Sequence, residues 1–123
     1  MPSLLPSKAE LMKTAVILEG FKEFNKAARY YAKAQEYARS AKLYQKIGDL
    51  SKAGDNYFMA KKFREALKMY TRLGRKDRKV AILYEKTGNF RKAADIWKLL
   101  KSNRNWKRCL QQSRQLSLFD LKL

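Results

Sequence analysis

The sequence predicts an all-α protein, a right-handed α-solenoid of about eight short antiparallel helices with a 13-residue repeat. Two observations lead to this fold class. Only 5 glycines and 2 prolines interrupt the 123 residues, which favours helices over the many turns of a β-sandwich. Large side chains also recur at a nearly constant spacing, and we call them the anchors: Leu18, Tyr31, Tyr44, Tyr57, Tyr70, Tyr84 and Trp97.

The spacing around the anchors predicts the individual helices. Successive anchors are 13 residues apart, except for one interval of 14 residues between Tyr70 and Tyr84. Most positions seven, four and three residues before an anchor and three residues after it are apolar or small, and Asp77 is an exception beside the inserted residue. These offsets form one face of a helix of about 10 residues. The small residues in mid-helix would allow neighbouring helices to approach closely.

Turn residues separate the predicted helices. Glycines stand four residues after three of the anchors, where a left-handed residue ends a helix: Gly48, Gly74 and Gly88. Polar residues suited to cap the next helix follow five residues after an anchor: Asp49, Asn89 and Ser102. Ser7 and Glu10 have the spacing of a capping box at the first helix. Each unit is therefore one short helix and one tight turn, and such helices need their neighbours for stability.

Two segments carry a recurring signature, A-x-x-Y-x-K-x-G-D/N-F/L-x-K-A, around Tyr44–Ala53 and Tyr84–Ala93. In this signature the chain resembles short, degenerate tetratricopeptide-like repeats, and the resemblance covers nearly the whole chain. It departs from the standard repeat of about 34 residues, because two units here span 26 residues. The resemblance implies an interaction scaffold and names no partner. The aromatic anchors are then core residues rather than a base-stacking surface.

The charge of the chain is strongly positive and uneven. The formal net charge is +18, from 29 Lys and Arg against 11 Asp and Glu. Residues 1–60 hold 10 basic and 6 acidic residues, whereas residues 61–123 hold 19 basic and 5 acidic residues. This asymmetry favours a polyanionic partner for the second half, most simply nucleic acid. A solvated helix surface and an anionic membrane surface are the alternatives.

Twelve basic residues of the second half fall in or near the predicted turns and are the candidate nucleic-acid-binding residues. They are Lys61, Lys62, Arg64, Arg75, Lys76, Arg78, Lys79, Arg91, Lys92, Arg104, Lys107 and Arg108. If clustered on one edge, they would form a ridge that follows phosphates, with contacts that are salt-sensitive and independent of base sequence. No recognition-helix motif is present, and the pattern does not distinguish DNA from RNA.

The periodicity stops after Leu110, which predicts a basic helical-repeat domain over residues 1–112 and a flexible C-terminal tail over residues 113–123. Within the tail, Gln115-Leu116-Ser117-Leu118-Phe119 resembles the sliding-clamp-binding motif of bacterial replication and repair proteins, Q-L-S/D-L-F. The resemblance implies that a bacterial sliding clamp is a partner.

The same resemblance implies a role for each clamp-binding residue. Gln115 would hydrogen-bond at the rim of the site on the clamp, and Leu116 would pack in a shallow subsite. Leu118 and Phe119 would enter a deep apolar pocket as hot spots, in the manner of an extended peptide. The eukaryotic and archaeal form of the motif fits poorly.

Two other interpretations of the tail stay open. Its apolar residues could instead cover the open end of the solenoid, because solenoids need such caps. A clathrin-type peptide fits less well, because Ser117 stands where that motif wants an apolar residue.

The composition argues against an enzyme. The chain has no His and a single Cys, Cys109, which removes the commonest general base, any disulfide framework within the chain and a zinc site. Its carboxylates are scattered, and its glycines form no phosphate-binding loop. We therefore predict no catalytic residues, no metal and no cofactor. No apolar run approaches the roughly 20 residues of a membrane helix, so we expect a cytoplasmic, nucleoid-associated protein without a membrane partner.

These observations favour a non-catalytic interaction module that acts in DNA replication or repair. It would bind nucleic acid through its basic repeats and dock on the sliding clamp through its tail, and other replication or repair proteins are possible partners. Both the C-terminal part of a helicase and a separate replication regulator fit this description. The alternatives are a protein-binding scaffold with a capping tail, and a sequence-independent RNA binder.

Overall fold

A computed structural model describes the backbone of residues 5–122 and the side chains of residues 5–116. Over this range the chain forms eight α-helices and no β-strand. The all-α fold class predicted from the sequence is therefore confirmed. The helices are α1 (Lys8–Gly20), α2 (Phe24–Lys33), α3 (Tyr37–Lys46), α4 (Leu50–Met59), α5 (Phe63–Arg72), α6 (Arg78–Lys86), α7 (Phe90–Leu99) and α8 (Asn103–Lys122).

The helices belong to two compact units, residues 1–69 and residues 70–123, and the division falls inside α5. In the first unit α1 packs on α2, α2 on α3 and α3 on α4. In the second unit α6 packs on α7 and α7 on α8. Each of these pairs is joined by a turn of three residues, so the packed neighbours run antiparallel. The predicted packing of consecutive helices is thus confirmed within each unit.

Small residues line the contacts between helices, as the spacing predicts. Alanines three or four residues before the anchors are fully buried in both units: Ala15, Ala27, Ala28, Ala41, Ala53, Ala66, Ala81, Ala93 and Ala94. Most anchors are buried beside them: Tyr31, Tyr44, Tyr57, Tyr70 and Trp97. An alanine keeps the two backbones close, and the neighbouring aromatic ring fills the space that remains.

Two buried aromatic anchors of the first unit also make a hydrogen bond that the repeat pattern alone does not predict. The Tyr31 hydroxyl donates to Glu19 Oε1 over 2.7 Å, and the Tyr57 hydroxyl donates to Gln45 Oε1 over 2.6 Å. Each acceptor lies 12 residues earlier, directly after the preceding anchor. The bond satisfies the polar tip of a ring whose body is buried, and it ties α2 to α1 and α4 to α3.

Every one of the seven helix ends after an anchor uses a left-handed residue four positions after that anchor. Besides the three predicted glycines, four other residues adopt φ values between 60° and 64°: Lys22, Gln35, Lys61 and Lys101. The N–H of the next residue donates to the anchor carbonyl in all seven turns, for example Ser102 to Trp97 over 2.9 Å. This is the bond of a Schellman turn. Side chains disfavour this conformation, so the four non-glycine turns are strained.

Replacing Lys101 by glycine is expected to raise the free energy of unfolding by about 0.5–1 kcal/mol, because glycine adopts a positive φ without steric cost. The opposite change, Gly88→Ala, should lower it by about 1 kcal/mol. No atom lies within 4 Å of the Cβ that Gly88→Ala would add, so this control isolates backbone strain from crowding. Urea unfolding followed by circular dichroism measures both changes. Destabilisation by Lys101→Gly would contradict the assignment of strain to this turn.

The helix starts follow the predicted caps in part. Ser7 accepts a hydrogen bond from the Glu10 N–H and Asp49 accepts one from the Lys52 N–H. The side chain of Asn89 makes no capping bond, although the residue occupies the cap position of α7. Asp77, the exception to the apolar pattern, caps α6 by accepting from the Val80 N–H over 3.1 Å. The longer connection before α6 thus receives a polar residue that starts the helix.

The last helix is longer than the repeat predicts. α8 runs from Asn103 to Lys122 and continues past the predicted boundary at residue 112. No glycine or proline occurs in this segment, and residues such as Gln, Arg, Leu and Lys favour helix. The backbone of residues 113–122 is therefore helical in this structure, where the sequence analysis expects a separate flexible tail.

Candidate nucleic-acid interface

The structure distributes the twelve candidate residues over both units. Lys61, Lys62 and Arg64 lie in the first unit, at the turn before α5 and on its first helical residues, and all three are exposed. The other nine lie in the second unit. Seven of these are exposed, whereas Arg75 and Lys79 are half-buried.

Within the second unit, the candidate residues occupy two opposite edges. α6 and α7 run antiparallel, so the start of α6 and the end of α7 lie at the same edge. Arg78 and Arg104 fall on this edge, because they begin α6 and α8. Arg91 and Lys92 fall on the opposite edge, near the start of α7. The turn residues of this unit therefore do not form one ridge along a single edge.

A different arrangement brings cations together. α6, α7 and α8 line an open groove of about 320 Å³, which we call the basic groove. Three cations from two helices, Arg78, Lys86 and Arg108, share it with a single carboxylate, Glu85. The local charge is therefore positive. The full lining is Arg78, Ile82, Glu85, Lys86, Trp97, Asn105 and Arg108.

Glu85 organises the groove. Arg108 donates from both terminal nitrogens to the two carboxylate oxygens of Glu85, with a distance of 3.1 Å from Nη2 to Oε2. Trp97 Nε1 donates to the same Oε2 over 2.8 Å. Burial acts to raise the pKa of Glu85, but the hydrogen bonds from Arg108 and Trp97 and the charge of Arg108 outweigh it, so this pKa lies below its usual value. Glu85 is thus a firmly ionised partner for Arg108.

Asn105 completes the positioning of Arg108. Its Oδ1 accepts from Arg108 Nη2 over 3.1 Å, and its Nδ2 donates to Ser102 Oγ over 2.9 Å. A guanidinium held at two places loses little further conformational entropy when an anion approaches its exposed side. Arg108 keeps 46% of its side-chain surface exposed, so the guanidinium is both fixed and accessible.

Glu85 and Trp97 are site residues that the sequence analysis missed. A signal for them exists in the repeat: a Glu or Gln stands directly after the preceding anchor wherever the next anchor donates a hydrogen bond to it. The three acceptors are Glu19, Gln45 and Glu85.

Arg75 and Lys79 form a second cluster, near the start of α6. Arg75 donates from Nε and Nη2 to Asp77 Oδ2, each over 2.7 Å. Its Cζ lies 4.1 Å from the centre of the Tyr70 ring, and Lys79 Nζ lies 5.5 Å from the same centre. Burial acts to raise the pKa of Asp77, but the hydrogen bonds from Arg75 and from backbone N–H groups outweigh this effect, so the pKa lies below its usual value. Arg75 is therefore partly neutralised.

The candidate clamp-binding residues lie on α8. Gln115 and Leu116 are exposed, and Leu116 keeps 46% of its surface accessible. The side chains of Leu118 and Phe119 lie outside the described residues. The first half of the motif is thus open to a partner, and the second half stays a prediction from the sequence.

Other features of the described residues bear on the remaining predictions. Cys109 is fully buried, and burial together with the charge of Glu85 raises the pKa of its thiol. Across residues 5–116, no three His, Cys, Asp or Glu side chains stand together as a metal site would require. No helix in the described part of the chain has both the length and the apolar character needed to cross a membrane.

Comparison of the chain with protein-family models, with curated proteins and with solved structures finds no match. The resemblances to tetratricopeptide-like repeats and to the clamp-binding motif therefore stay predictions from the sequence.

Proposed function

We propose that this chain is a non-catalytic module of DNA replication or repair that binds nucleic-acid phosphates through the basic groove and docks on a bacterial sliding clamp through residues 115–119. The observation that carries the proposal is the convergence of Arg78, Lys86 and Arg108 on one groove. The clamp contact rests on the match of Gln115–Phe119 to the clamp-binding motif.

The groove suits a phosphate chemically. Arg108 is oriented by Glu85 and Asn105, which accept three of its N–H groups and offset part of its charge. Its remaining N–H groups are held in place for a phosphate oxygen at little entropic cost. Arg78 and Lys86 are exposed and add charge from α6. Contacts of this kind release counterions and carry no base information, so the binding should be independent of sequence and steeply dependent on salt.

The nucleic-acid contact can be tested by reversing two charges of the groove, Arg78→Glu with Lys86→Glu. We expect the affinity for DNA to fall at least about tenfold at roughly 100 mM salt, with a shallower dependence on salt, because about two phosphate contacts are lost. Fluorescence anisotropy with a labelled oligonucleotide over a salt series measures both quantities.

A matched control separates the groove from overall charge. Lys13→Glu with Lys42→Glu changes two exposed residues of the first unit and lowers the net charge by the same amount. We expect this control to lose affinity only about twofold. An equal loss in both double variants would contradict a groove-specific site, and the absence of DNA binding by the wild-type chain at low salt would favour a protein-binding scaffold.

The clamp contact can be tested with Leu118→Ala and Phe119→Ala together. We expect binding to a purified bacterial sliding clamp to weaken more than about 100-fold, because two apolar hot spots are removed. Ser117→Ala is the control and should bind like the wild type, because this position is a spacer in the motif. Surface plasmon resonance gives the affinities, and unchanged clamp binding by the double variant would refute the proposal for the tail.

The overall affinity for clamp-loaded DNA would exceed the affinity of either contact alone. A chain that holds the clamp raises the effective concentration of its groove near DNA, and the gain is set by the geometry of the connection.

One observation favours the capping alternative for the tail, since α8 continues as one helix from the groove into the motif. In that case the double variant loses stability and the wild-type chain does not bind the clamp.

A further inference from the structure

We infer that the nucleic acid held by the second unit is a duplex bound by its phosphates, and that single strands are bound more weakly. This inference rests on the proposed function and specifies the class of its ligand. It follows from the state of the aromatic rings beside the candidate cations.

Proteins that hold single strands combine a basic surface with exposed aromatic rings. Successive bases stack on those rings, and each stacked base contributes about 1–3 kcal/mol. A basic surface without such rings gains nothing from an unpaired base, and its affinity depends on phosphate density alone. The exposure of the rings therefore distinguishes the two classes of ligand.

None of the described rings of the second unit is exposed enough to offer an open face for base stacking. Tyr70 and Trp97 are buried, with 0% and 4% of their surface accessible. Tyr84, Phe90 and Trp106 are half-buried. No aromatic side chain between residues 70 and 116 is exposed.

Cations cover the faces of several of these rings. Arg75 and Lys79 both lie over Tyr70. Lys92 Nζ lies 5.9 Å from the centre of the Tyr84 ring, and Lys98 Nζ lies 5.3 Å from that of Trp106. A ring face occupied by a cation is closed to a base. The same contact holds the cation in place, so these rings position charges for phosphates instead of receiving bases.

A duplex presents a higher density of phosphate charge to such a surface than a single strand does. It carries one negative charge per about 1.7 Å of its axis, against one per about 3.4 Å along each strand, and it releases more counterions per contact. The second unit has cations in the groove and near both edges of the α6–α7 pair, including Arg78, Arg104 and Arg91. Cations spread in this way gain most from a ligand of high and regular charge density.

The test compares the full chain with a 20-base-pair DNA duplex and with each of its single strands at one salt concentration, by fluorescence anisotropy. We expect the duplex to bind at least about tenfold more tightly than either strand. Equal or tighter binding of a single strand would overturn the inference. We also expect an RNA duplex to bind more tightly than its own single strands. This comparison tells whether the preference depends on the duplex form or on the type of sugar.

Two further measurements look for stacking directly. Both tryptophans of the chain lie in the second unit, and we expect less than about 10% quenching of their fluorescence when a single strand is bound, because stacked bases would be needed for strong quenching. Among side chains 5–116, Phe21 has the one exposed aromatic ring, at 77%. Phe21→Ala should leave single-strand affinity unchanged within about twofold. Strong quenching would show a stacking site in the second unit and refute the inference. Loss of single-strand binding in Phe21→Ala would show a stacking site on the first unit, and it would overturn the expected weaker binding of single strands by this chain.

The outcome also separates this inference from the proposed function. If neither duplex nor single strand binds at low salt, the nucleic-acid function itself fails. If single strands bind as tightly as the duplex and the charge reversal in the basic groove weakens both, the function stands and the inference alone is wrong.

Discussion

Replacing Glu85 by alanine is expected to lower the free energy of unfolding by about 2–3 kcal/mol. The change removes the acceptor of the Trp97 indole N–H, which belongs to a side chain with only 4% of its surface accessible. A buried donor left without a partner costs about 1–3 kcal/mol. The loss of the two bonds from Arg108 adds less, because Arg108 is half exposed and regains contact with water.

Two controls test this explanation. Glu85→Gln keeps an oxygen for the Trp97 N–H and removes the charge that faces Arg108, so it should cost only about 1 kcal/mol. Glu19→Ala removes the equivalent acceptor in the first unit, where the acceptor is exposed, and it should also cost about 1 kcal/mol. Urea unfolding measures all three variants. An equal loss for Glu85→Ala and Glu85→Gln would show that the carboxylate charge matters and the indole bond does not.

The same residue gives the stability of the chain a definite dependence on pH. The pKa of Glu85 is lower in the folded chain than its ordinary value of 4.5, so its stabilising contribution is complete above about pH 4.5 and is lost as the pH falls through the folded pKa. The pKa of Asp77 is lowered in the same direction. Glu85→Gln should therefore show a shallower fall in stability below about pH 4.5 than the wild type.

Replacing Ala94 by leucine is expected to lower the free energy of unfolding by about 3 kcal/mol. Ala94 lies on α7, has no accessible surface, and belongs to the core cluster that also contains Ala81, Trp97 and Cys109. A leucine adds three carbon atoms where two helix backbones approach each other closely. The neighbouring helices would have to separate or adopt strained side-chain conformations, and such overpacking costs about 1–3 kcal/mol or more.

The control for Ala94→Leu is the same substitution at an exposed helical position. Ala9 is exposed on α1, so Ala9→Leu should change the stability by less than about 0.5 kcal/mol. Thermal unfolding followed by circular dichroism compares the two variants. Unchanged stability in Ala94→Leu would mean that α7 and its neighbours are not closely packed at this point.

The sequence predicts the fold well because the 13-residue repeat is short and covers most of the chain. An apolar face that returns every 13 residues leaves little choice of secondary structure, and the alanines before each anchor are buried as the spacing requires. The turns were predicted only where glycine marks them. Lys22, Gln35, Lys61 and Lys101 take the same conformation, because the hydrogen bond to the preceding anchor and the packing of the next helix outweigh the local strain.

The candidate site was less predictable from the sequence. Basic residues near turns do not all meet at one edge, because antiparallel helices alternate in direction and place Arg91 and Arg104 at opposite edges. The basic groove instead contains Arg78 and Lys86, which lie about two turns apart on one face of α6. They share the groove with Arg108 of α8. Such a meeting requires knowledge of which helices are neighbours. The length of α8 does not follow from the repeat, because helix propensity continues after the hydrophobic pattern has ended.

The continuity of α8 sets a distance and a phase between the two proposed contacts. Arg108 and Gln115 are seven residues apart on one helix, which corresponds to about 10 Å along its axis and almost two full turns. Both side chains therefore project from nearly the same side of a rod that has no joint between them. Docking of residues 115–119 as an extended peptide would therefore require α8 to unwind after Arg114, and the helix energy lost there would weaken the clamp contact.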